Sequence, residues 1–463
     1  MVVGEMPESV DLVVIGAGPG GYTAALEAAT SGRQVHLIDK AGAQGVGGVS
    51  LLEGCVPSKA LIEVAAAIHD EGKRRQMGVT PDGPTTVNLS VFQEWKDSIV
   101  TALGDGVRRK LAAASVTIIE GTAKFTGPTT LRVERENQAS TILEFRNAII
   151  ATGSQAIKLP LLEGHARMLD AAGVMQMSMI PTNTVVVGAG ATGIELGTAL
   201  AKIGSKVTIL EAAPSILPTF PPAVASDVLR GLHRLGISVM LGARLDGVTE
   251  TAVRVTDSGG DMSLIDADII VAALGRRPYS DGLAAERAGV TLGDSGYIVV
   301  DEFLMATDQI AAIGDVTAGP GLAHRAGAEA IAAVRTLGGQ RTRQNALIPH
   351  VVFSDPEAAT VGLGLAEAIA LGYPAEEITV PFAEVAKSRI LQDTSGRHRI
   401  TVDASTGILL GASITGNHAT ELIAEMGLAI EAGLLYDDVT GTVHSHPTLS
   451  EIVTATHFRP INR

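Results

Sequence analysis

Asp11-Leu12-Val13-Val14-Ile15-Gly16-Ala17-Gly18-Pro19-Gly20-Gly21 reads as a short buried strand running into a glycine-rich turn. The apolar, β-branched run predicts a parallel strand covered on both faces. An alanine-rich helix is expected over residues 22–31 and a second strand over 34–38, ending in Asp39. A lone G-x-G-x-x-G is weak. Here it has a strand before it, a helix after it and an acid at the tip of the second strand. Gly16 permits the tight turn, Gly18 lets the backbone approach a pyrophosphate, and Gly21 lets helix and strand pack closely. The helix N-terminus faces the phosphates, and Asp39 is placed for a ribose hydroxyl.

The pattern recurs. A strand is expected over 184–187. The loop Gly188-Ala189-Gly190-Ala191-Thr192-Gly193 follows, then a helix, then a strand over 206–210 ending in Glu211. Glu211 follows Gly188 by 23 positions, as Asp39 follows Gly16. Two copies at one spacing predict two dinucleotide sites. Glu211 suits the free 2′-hydroxyl of NAD. No arginine stands in Ala212-Ala213-Pro214-Ser215-Ile216-Leu217, so a 2′-phosphate would meet a like charge and no partner.

Each unit carries an excursion. After a helical region over 89–114, residues 116–145 read as strands with a turn at Gly127-Pro128, returning through Ala151-Thr152-Gly153-Ser154. The second has a hairpin near Ser258-Gly259-Gly260 and returns to Leu274-Gly275-Arg276-Arg277-Pro278. A further strand over 310–313 leads to Gly314-Asp315. Beyond about residue 345, short strands (351–353, 378–382, 399–403, 409–414) precede helices (419–432, 449–454), and Pro381 is confined to a sheet edge or a strand end. The fold class is α/β: two Rossmann-like dinucleotide-binding domains plus an α+β C-terminal domain. The expected division is 1–156, 157–278, a return segment 279–345 to the first domain, and 346–463.

Composition narrows the partners. Net charge is −15 with a pI near 5.2, which argues against nucleic acid and anionic membranes. One cysteine excludes an intrachain disulfide and fits a reducing compartment. No signal-like segment and no span-length apolar run stand out, so a soluble, cytoplasmic protein is expected. The cysteine lies in Gly47-Gly48-Val49-Ser50-Leu51-Leu52-Glu53-Gly54-Cys55-Val56-Pro57-Ser58-Lys59, where Pro57 and the spacing of Leu61, Val64, Ala65 and Ile68 predict a helix start. A helix N-terminus is a place where a thiolate is favoured. His446, followed by Pro447 and then Glu451, has the spacing of a general base and its orienter.

Taken in order, these motifs resemble the flavoprotein disulfide reductases, and within them most nearly the dihydrolipoamide dehydrogenase branch. The resemblance covers essentially the whole chain and implies FAD at the first loop and NAD at the second. It assigns Gly16, Gly18, Gly21, Asp39, Lys40, Gly48, Lys59, Ala151, Thr152, Gly153, Asp315, Ala323 and His324 to FAD, His324 within a turn. Gly188, Gly190, Gly193, Glu195, Glu211 and Gly275 fall to NAD. It pairs Lys59 with Glu195 beside the flavin. The C-terminal domain would form a homodimer and lend His446 and Glu451 to the partner subunit. A lipoyl-bearing protein or free lipoamide is the implied partner. His444 has no assigned role, Trp95 reads as packing, and Phe353 as interface or core.

The resemblance breaks at one position. The family carries two cysteines five apart, and here Ser50 stands where the first is expected, leaving Cys55 alone. A hydroxyl does not replace a thiolate in disulfide exchange. Three explanations stand open. Ser50 is an engineered near-isosteric swap that traps the exchange step. Alternatively it is natural, and the chain passes electrons from NADH to a quinone, oxygen or a sulfur species captured on Cys55. The third makes the chain a non-catalytic FAD-binding subunit of a lipoyl-protein complex.

Overall fold

The computed structural model describes residues 7–80, 83, 85–136 and 138–458. It separates into two compact units. The first comprises Met1–Ser58, Ser90–Ile157 and Gly275–Asn345; the second comprises Lys59–Leu89, Lys158–Leu274 and Ala346–Arg463. Segments 158–274 and 346–463, expected as separate domains, fall in one unit. Residues 59–89, expected with the first dinucleotide domain, make their contacts in the second unit.

In the first unit, β1 (Glu8–Ile15) leads to helix α1 (Pro19–Thr30) and β2 (Val35–Asp39). Leu12, Val13 and Val14 are fully buried, as a strand covered on both faces must be. β3 (Thr117–Glu120), β4 (Thr122–Gly127), β5 (Thr130–Glu134) and β6 (Thr141–Ile150) complete a sheet of order β3-β2-β1-β6-β5-β4. β6 has two further neighbours in this sheet. Its first half pairs antiparallel with β5, and its last residues pair parallel with strand Ile310–Ala312. That second pairing brings the chain from Gly314 onward to the edge of the first glycine loop. α1 packs on helix Ala323–Leu337 through Ala24, Ala25, Ala28, Ala330 and Ala333, whose small side chains allow close approach. Each fully buried Val, Leu or Ile contributes roughly 1.5–3 kcal/mol. The strands, and not the glycine loop between them, therefore hold this unit together.

In the second unit a parallel sheet is built on strand Asn183–Val187, flanked by Lys206–Glu211 and Ile269–Ala272. A three-stranded antiparallel sheet carries the hairpin expected near residue 259. The C-terminal sheet runs His350–Val352, Ala358–Gly362, Leu409–Thr415, Arg397–Asp403, Ala375–Pro381. Pro381 closes the last, edge strand, where its missing N–H costs no ladder bond. Helix Pro222–Arg234 buries Val224, Asp227, Val228, Gly231 and Leu232, a helical i, i+3, i+4 face. Asp227 sits on that apolar face because Arg399 and Thr415 of the C-terminal sheet donate to it, at 2.7 and 3.0 Å. Gly231 permits the same contact, since a Cβ there would overlap the Asp355 carbonyl.

His398, on strand Arg397–Asp403, is fully buried. Its Nδ1 lies 3.5 Å from the Ile452 carbonyl, and its Nε2 has no partner among the described residues. Desolvation holds its pKa down to about 4, against an ordinary 6.5. The unfolded chain therefore binds a proton that the native state refuses. Native stability is full above pH 6.5 and falls as pH drops toward 4, by on the order of 3 kcal/mol. Urea midpoints measured at about pH 7.5 and about pH 4.5 should show this loss, and His398→Leu should remove much of it. An unchanged pH slope in that variant would count against the buried neutral imidazole.

Candidate functional site

The sequence repeat is a repeat in geometry. Gly16 and Gly188 both take positive φ, +100° and +108°, where a side chain is strained. Their N–H groups donate to Ile38 and Leu210 carbonyls at 2.7 and 2.8 Å. A Cβ on Gly21 would overlap the Gly16 carbonyl oxygen, and one on Gly193 that of Gly188. By contrast, a Cβ at Gly18 or Gly190 would meet nothing within 4 Å. Those two glycines are the N-caps of α1 and of helix Ala191–Lys202, and no side chain caps either helix. The first-turn N–H groups thus face an open, anion-favouring end. A dinucleotide pyrophosphate fits both cradles.

The two acids act on their own loops. Asp39 accepts from the N–H groups of Ala17 and Ala41, each at 3.0 Å. Glu211 accepts from Ala189 and Ala213, each at 2.7 Å. Each carboxylate oxygen keeps a second lone pair for a ribose hydroxyl.

Around the first loop the structure gathers most of the residues expected there. Gly47 donates to the Ala17 carbonyl at 2.9 Å, and Gly48 abuts Gly18. Short helix α2 (Gly48–Leu52), carrying Ser50, is thereby seated on the dinucleotide loop. Helix α3 (Cys55–His69) follows at once, with the exposed Cys55 thiol as its first residue. Ala151 donates to the Ile15 carbonyl at 2.8 Å. Thr152 next to it holds a buried hydroxyl with no partner among the described residues, a donor left for a ligand. Gly153 turns the chain with φ +72°. Asp315 accepts from the Ser154 hydroxyl at 2.6 Å, and Arg276 Nε donates to that hydroxyl at 2.7 Å. Lys40 Nζ lies 5.9 Å from the Tyr279 ring centroid.

Two supports of this loop were not anticipated from sequence. Arg325 and Glu329 form a buried pair at 2.7 Å. Glu329 accepts the Gly314 N–H at 2.7 Å, while Arg325 donates to Thr317 and to the carbonyls of Ala318 and Pro320. The segment bearing Asp315 is held by both. Burial pushes the Glu329 carboxyl above its usual range, against the pull of the Gly314 N–H and Arg325. Their i, i+4 spacing in an otherwise alanine-rich helix was the signal available. Ala323 and His324 open helix Ala323–Leu337. This corrects the turn expected at His324, which is exposed on the first helical turn.

In the second unit, Lys59 Nζ pairs with Glu195 Oε2 at 2.7 Å. Glu195 is 7% exposed, and its other oxygen accepts the Phe353 N–H at 3.0 Å. The Phe353 ring centroid lies 4.7 Å from the Lys59 ammonium. Phe353, expected as interface or core, is half-buried and belongs to this cluster. Gly275 lies in the first unit, bonded through its carbonyl to Ile157, whereas Gly188, Gly190, Gly193 and Glu211 lie in the second.

His446 Nδ1 and Glu451 Oε1 are 2.8 Å apart, beside a cavity of ≈ 430 Å³. Glu451 also accepts the Thr448 N–H at 2.9 Å. The His446 hydrogen bond, and then that N–H, hold its carboxyl below the usual range. The ionised acid takes the Nδ1 proton as its hydrogen bond and leaves Nε2 as the basic nitrogen. His444, without a role from sequence, pairs with Glu425 at 2.8 Å. Trp95, expected as packing, is 43% exposed, with its ring centroid 6.4 Å from that of Phe92.

Two dinucleotide loops in tandem, with a thiol at the start of the helix that follows the one seated on the first, define an oxidoreductase that uses two nucleotide cofactors. Residues 10–330 match the pyridine nucleotide-disulphide oxidoreductase family and residues 348–457 its dimerisation domain; the chain belongs to that family. It is 40% identical over 457 residues to the dihydrolipoyl dehydrogenase of Geobacillus stearothermophilus, covering 98% of this chain and 96% of the relative. The dihydrolipoyl dehydrogenase of Bacillus subtilis is 39% identical, with the same coverage. Among solved structures, LpdA from Mycobacterium tuberculosis superposes with a TM-score of 0.89 at 26% identity, covering 97% of this chain and 99% of that one. The Cu(II) complex of RclA, an HOCl-induced flavoprotein disulfide reductase of Escherichia coli, gives 0.87 at 27% identity, covering 98% and 100%. The chain is accordingly a flavin-dependent, dihydrolipoyl dehydrogenase-like oxidoreductase, and its cofactors are FAD and NAD(H). Among the described residues no helix is long and apolar enough to cross a membrane.

Proposed function

We propose that this chain is a dihydrolipoyl dehydrogenase-type enzyme in which the exchange of electrons between NADH and FAD is intact and the dithiol exchange is disabled by Ser50. The observation that carries this is the α2–α3 segment. Cys55 stands four residues before Lys59 on one helix face, so thiol and ammonium point to one side. Lys59 is locked by Glu195, while Ser50 supplies oxygen where a second sulfur is required.

The roles follow from the groups. The 16–21 loop, Asp39, Lys40, Gly48, the 151–153 turn, Asp315 and the start of the 323–337 helix hold FAD. The 188–193 loop and Glu211 hold the nicotinamide nucleotide. FAD, when bound, relays two electrons between the nicotinamide side and the sulfur side. Lys59 stabilises negative charge at the reacting edge, and Glu195 fixes its position. The chain pairs with a second copy through residues 348–457, and His446, oriented by Glu451, serves the partner subunit's thiol site by holding a proton at Nε2. That pair favours a dithiol substrate, free lipoamide or a lipoyl-bearing protein, over a quinone or oxygen, which need no such base.

Anaerobic addition of NADH to the flavin-loaded protein should bleach the flavin stoichiometrically. Dihydrolipoamide under the same conditions should leave it coloured. Bleaching by dihydrolipoamide within a normal turnover time would overturn the disabling role of Ser50. No bleaching by NADH would point instead to a non-catalytic FAD-binding subunit. Rapid turnover of NADH with a quinone or oxygen would favour an acceptor that uses Cys55 alone.

A further inference from the structure

A second cavity, of ≈ 200 Å³, lies in the second unit between helix Pro222–Arg234 and the C-terminal sheet. Arg230 and Arg234 reach it from the last turns of the helix, and Thr394, Ser395 and Arg397 from the loop entering strand Arg397–Asp403. One carboxylate, that of Asp227, lines it, and that carboxylate is already committed. Its oxygens accept from Arg230, Arg399 and Thr415. The nearby Asp393 takes the Ser395 hydroxyl on one oxygen and faces Lys73 at 3.6 Å with the other.

The remaining arginines are unspent. Among the described residues neither Arg234 nor Arg397 has an acidic partner, in a chain with 50 acidic and 35 basic residues. The helix C-terminus accounts for Arg234 through the negative end of its dipole. It does not account for Arg397, which comes from another element. Arginines from two elements lining one small polar cavity suit a phosphate, which accepts several charge-assisted hydrogen bonds at once.

We propose that this cavity binds a phosphate group, held by Arg234 and Arg397 with the Thr394 hydroxyl, and that the anion braces the helix against the C-terminal sheet.

The test is calorimetric titration of the flavin-loaded protein with inorganic phosphate and, separately, with AMP, at constant ionic strength in chloride. Saturable binding of either is expected. It should weaken about tenfold or more in the double variant Arg234→Gln, Arg397→Gln, the scale of losing charge-assisted hydrogen bonds. Arg234→Lys with Arg397→Lys should retain part of the affinity, which separates loss of the site from loss of the fold. NADH bleaching should be unchanged in both variants, since neither residue belongs to the proposed redox machinery. Binding of phosphate alone assigns the site to the free ion; equal binding of AMP assigns it to the phosphoryl group of a metabolite. No saturable heat with either ligand, or undiminished binding in the glutamine variant, overturns the proposal.

Discussion

Ser50→Cys is expected to raise NAD-linked oxidation of dihydrolipoamide by at least about 10³-fold, the scale on which removing an essential nucleophile acts. The net reaction takes two electrons and two protons from the dithiol. It gives a disulfide, NADH and one released proton. An enzyme disulfide has to open and re-form in each turnover, which needs two sulfurs within bonding reach. Position 50 lies on α2 and position 55 starts α3. Gly54 N–H donates back to the Val49 carbonyl at 2.7 Å, so the chain turns tightly between them. Every other part that the proposed chemistry calls on, from Lys59–Glu195 to His446–Glu451, is already in place. NADH formation from dihydrolipoamide measures the gain. A variant with flavin bound and NADH bleaching intact, yet no such activity, would show that the chain serves another acceptor.

The second large effect separates the two nucleotide sites. Gly21→Ala and Gly193→Ala each drive a Cβ into the carbonyl of the first glycine of their own loop. Backbone has nowhere to retreat there, because Gly16 and Gly188 are each tied by an N–H bond to the neighbouring strand. Gly21→Ala should yield protein without flavin, or no folded protein at all. Gly193→Ala should keep its flavin but lose bleaching by NADH at concentrations that saturate the parent, a loss of roughly 1–3 kcal/mol or more in binding. Absorbance of the purified variants and an anaerobic titration decide this. Flavin lost from Gly193→Ala and kept by Gly21→Ala would reverse the assignment of the two loops.

What the sequence made legible was local. Each strand–loop–helix–strand–acid unit lies within about two dozen residues, so one reading captures all its parts. The long-range supports were not legible. Strand Ala358–Gly362 sits inside the C-terminal sheet, yet only Thr360 and Val361 favour a strand, and its alanines and glycine dilute the signal. Helix Pro222–Arg234 opens on consecutive prolines that look like a loop, and its buried Asp227 makes sense only beside Arg399, 172 positions away. Glu195 reads as a cofactor-side acid, but nothing in its neighbourhood points to the Phe353 N–H that fixes it. Ser50 was the reverse case: plain in the sequence, and unremarked by the fold, because a hydroxyl fits where a thiol would.

The acid at the tip of the second strand of each nucleotide unit bears on how such a protein could change its coenzyme. Glu211 already serves two loop N–H groups, those of Ala189 and Ala213. Replacing it with a basic or apolar residue to admit a 2′-phosphate would leave both donors without an acceptor and loosen the loop that the new coenzyme must use. The path from NAD to NADP therefore runs through at least two coordinated changes, one to welcome the extra charge and one to restore the lost acceptors. A single substitution at residue 211 crosses a valley, and lineages of this fold should find coenzyme preference slow to drift.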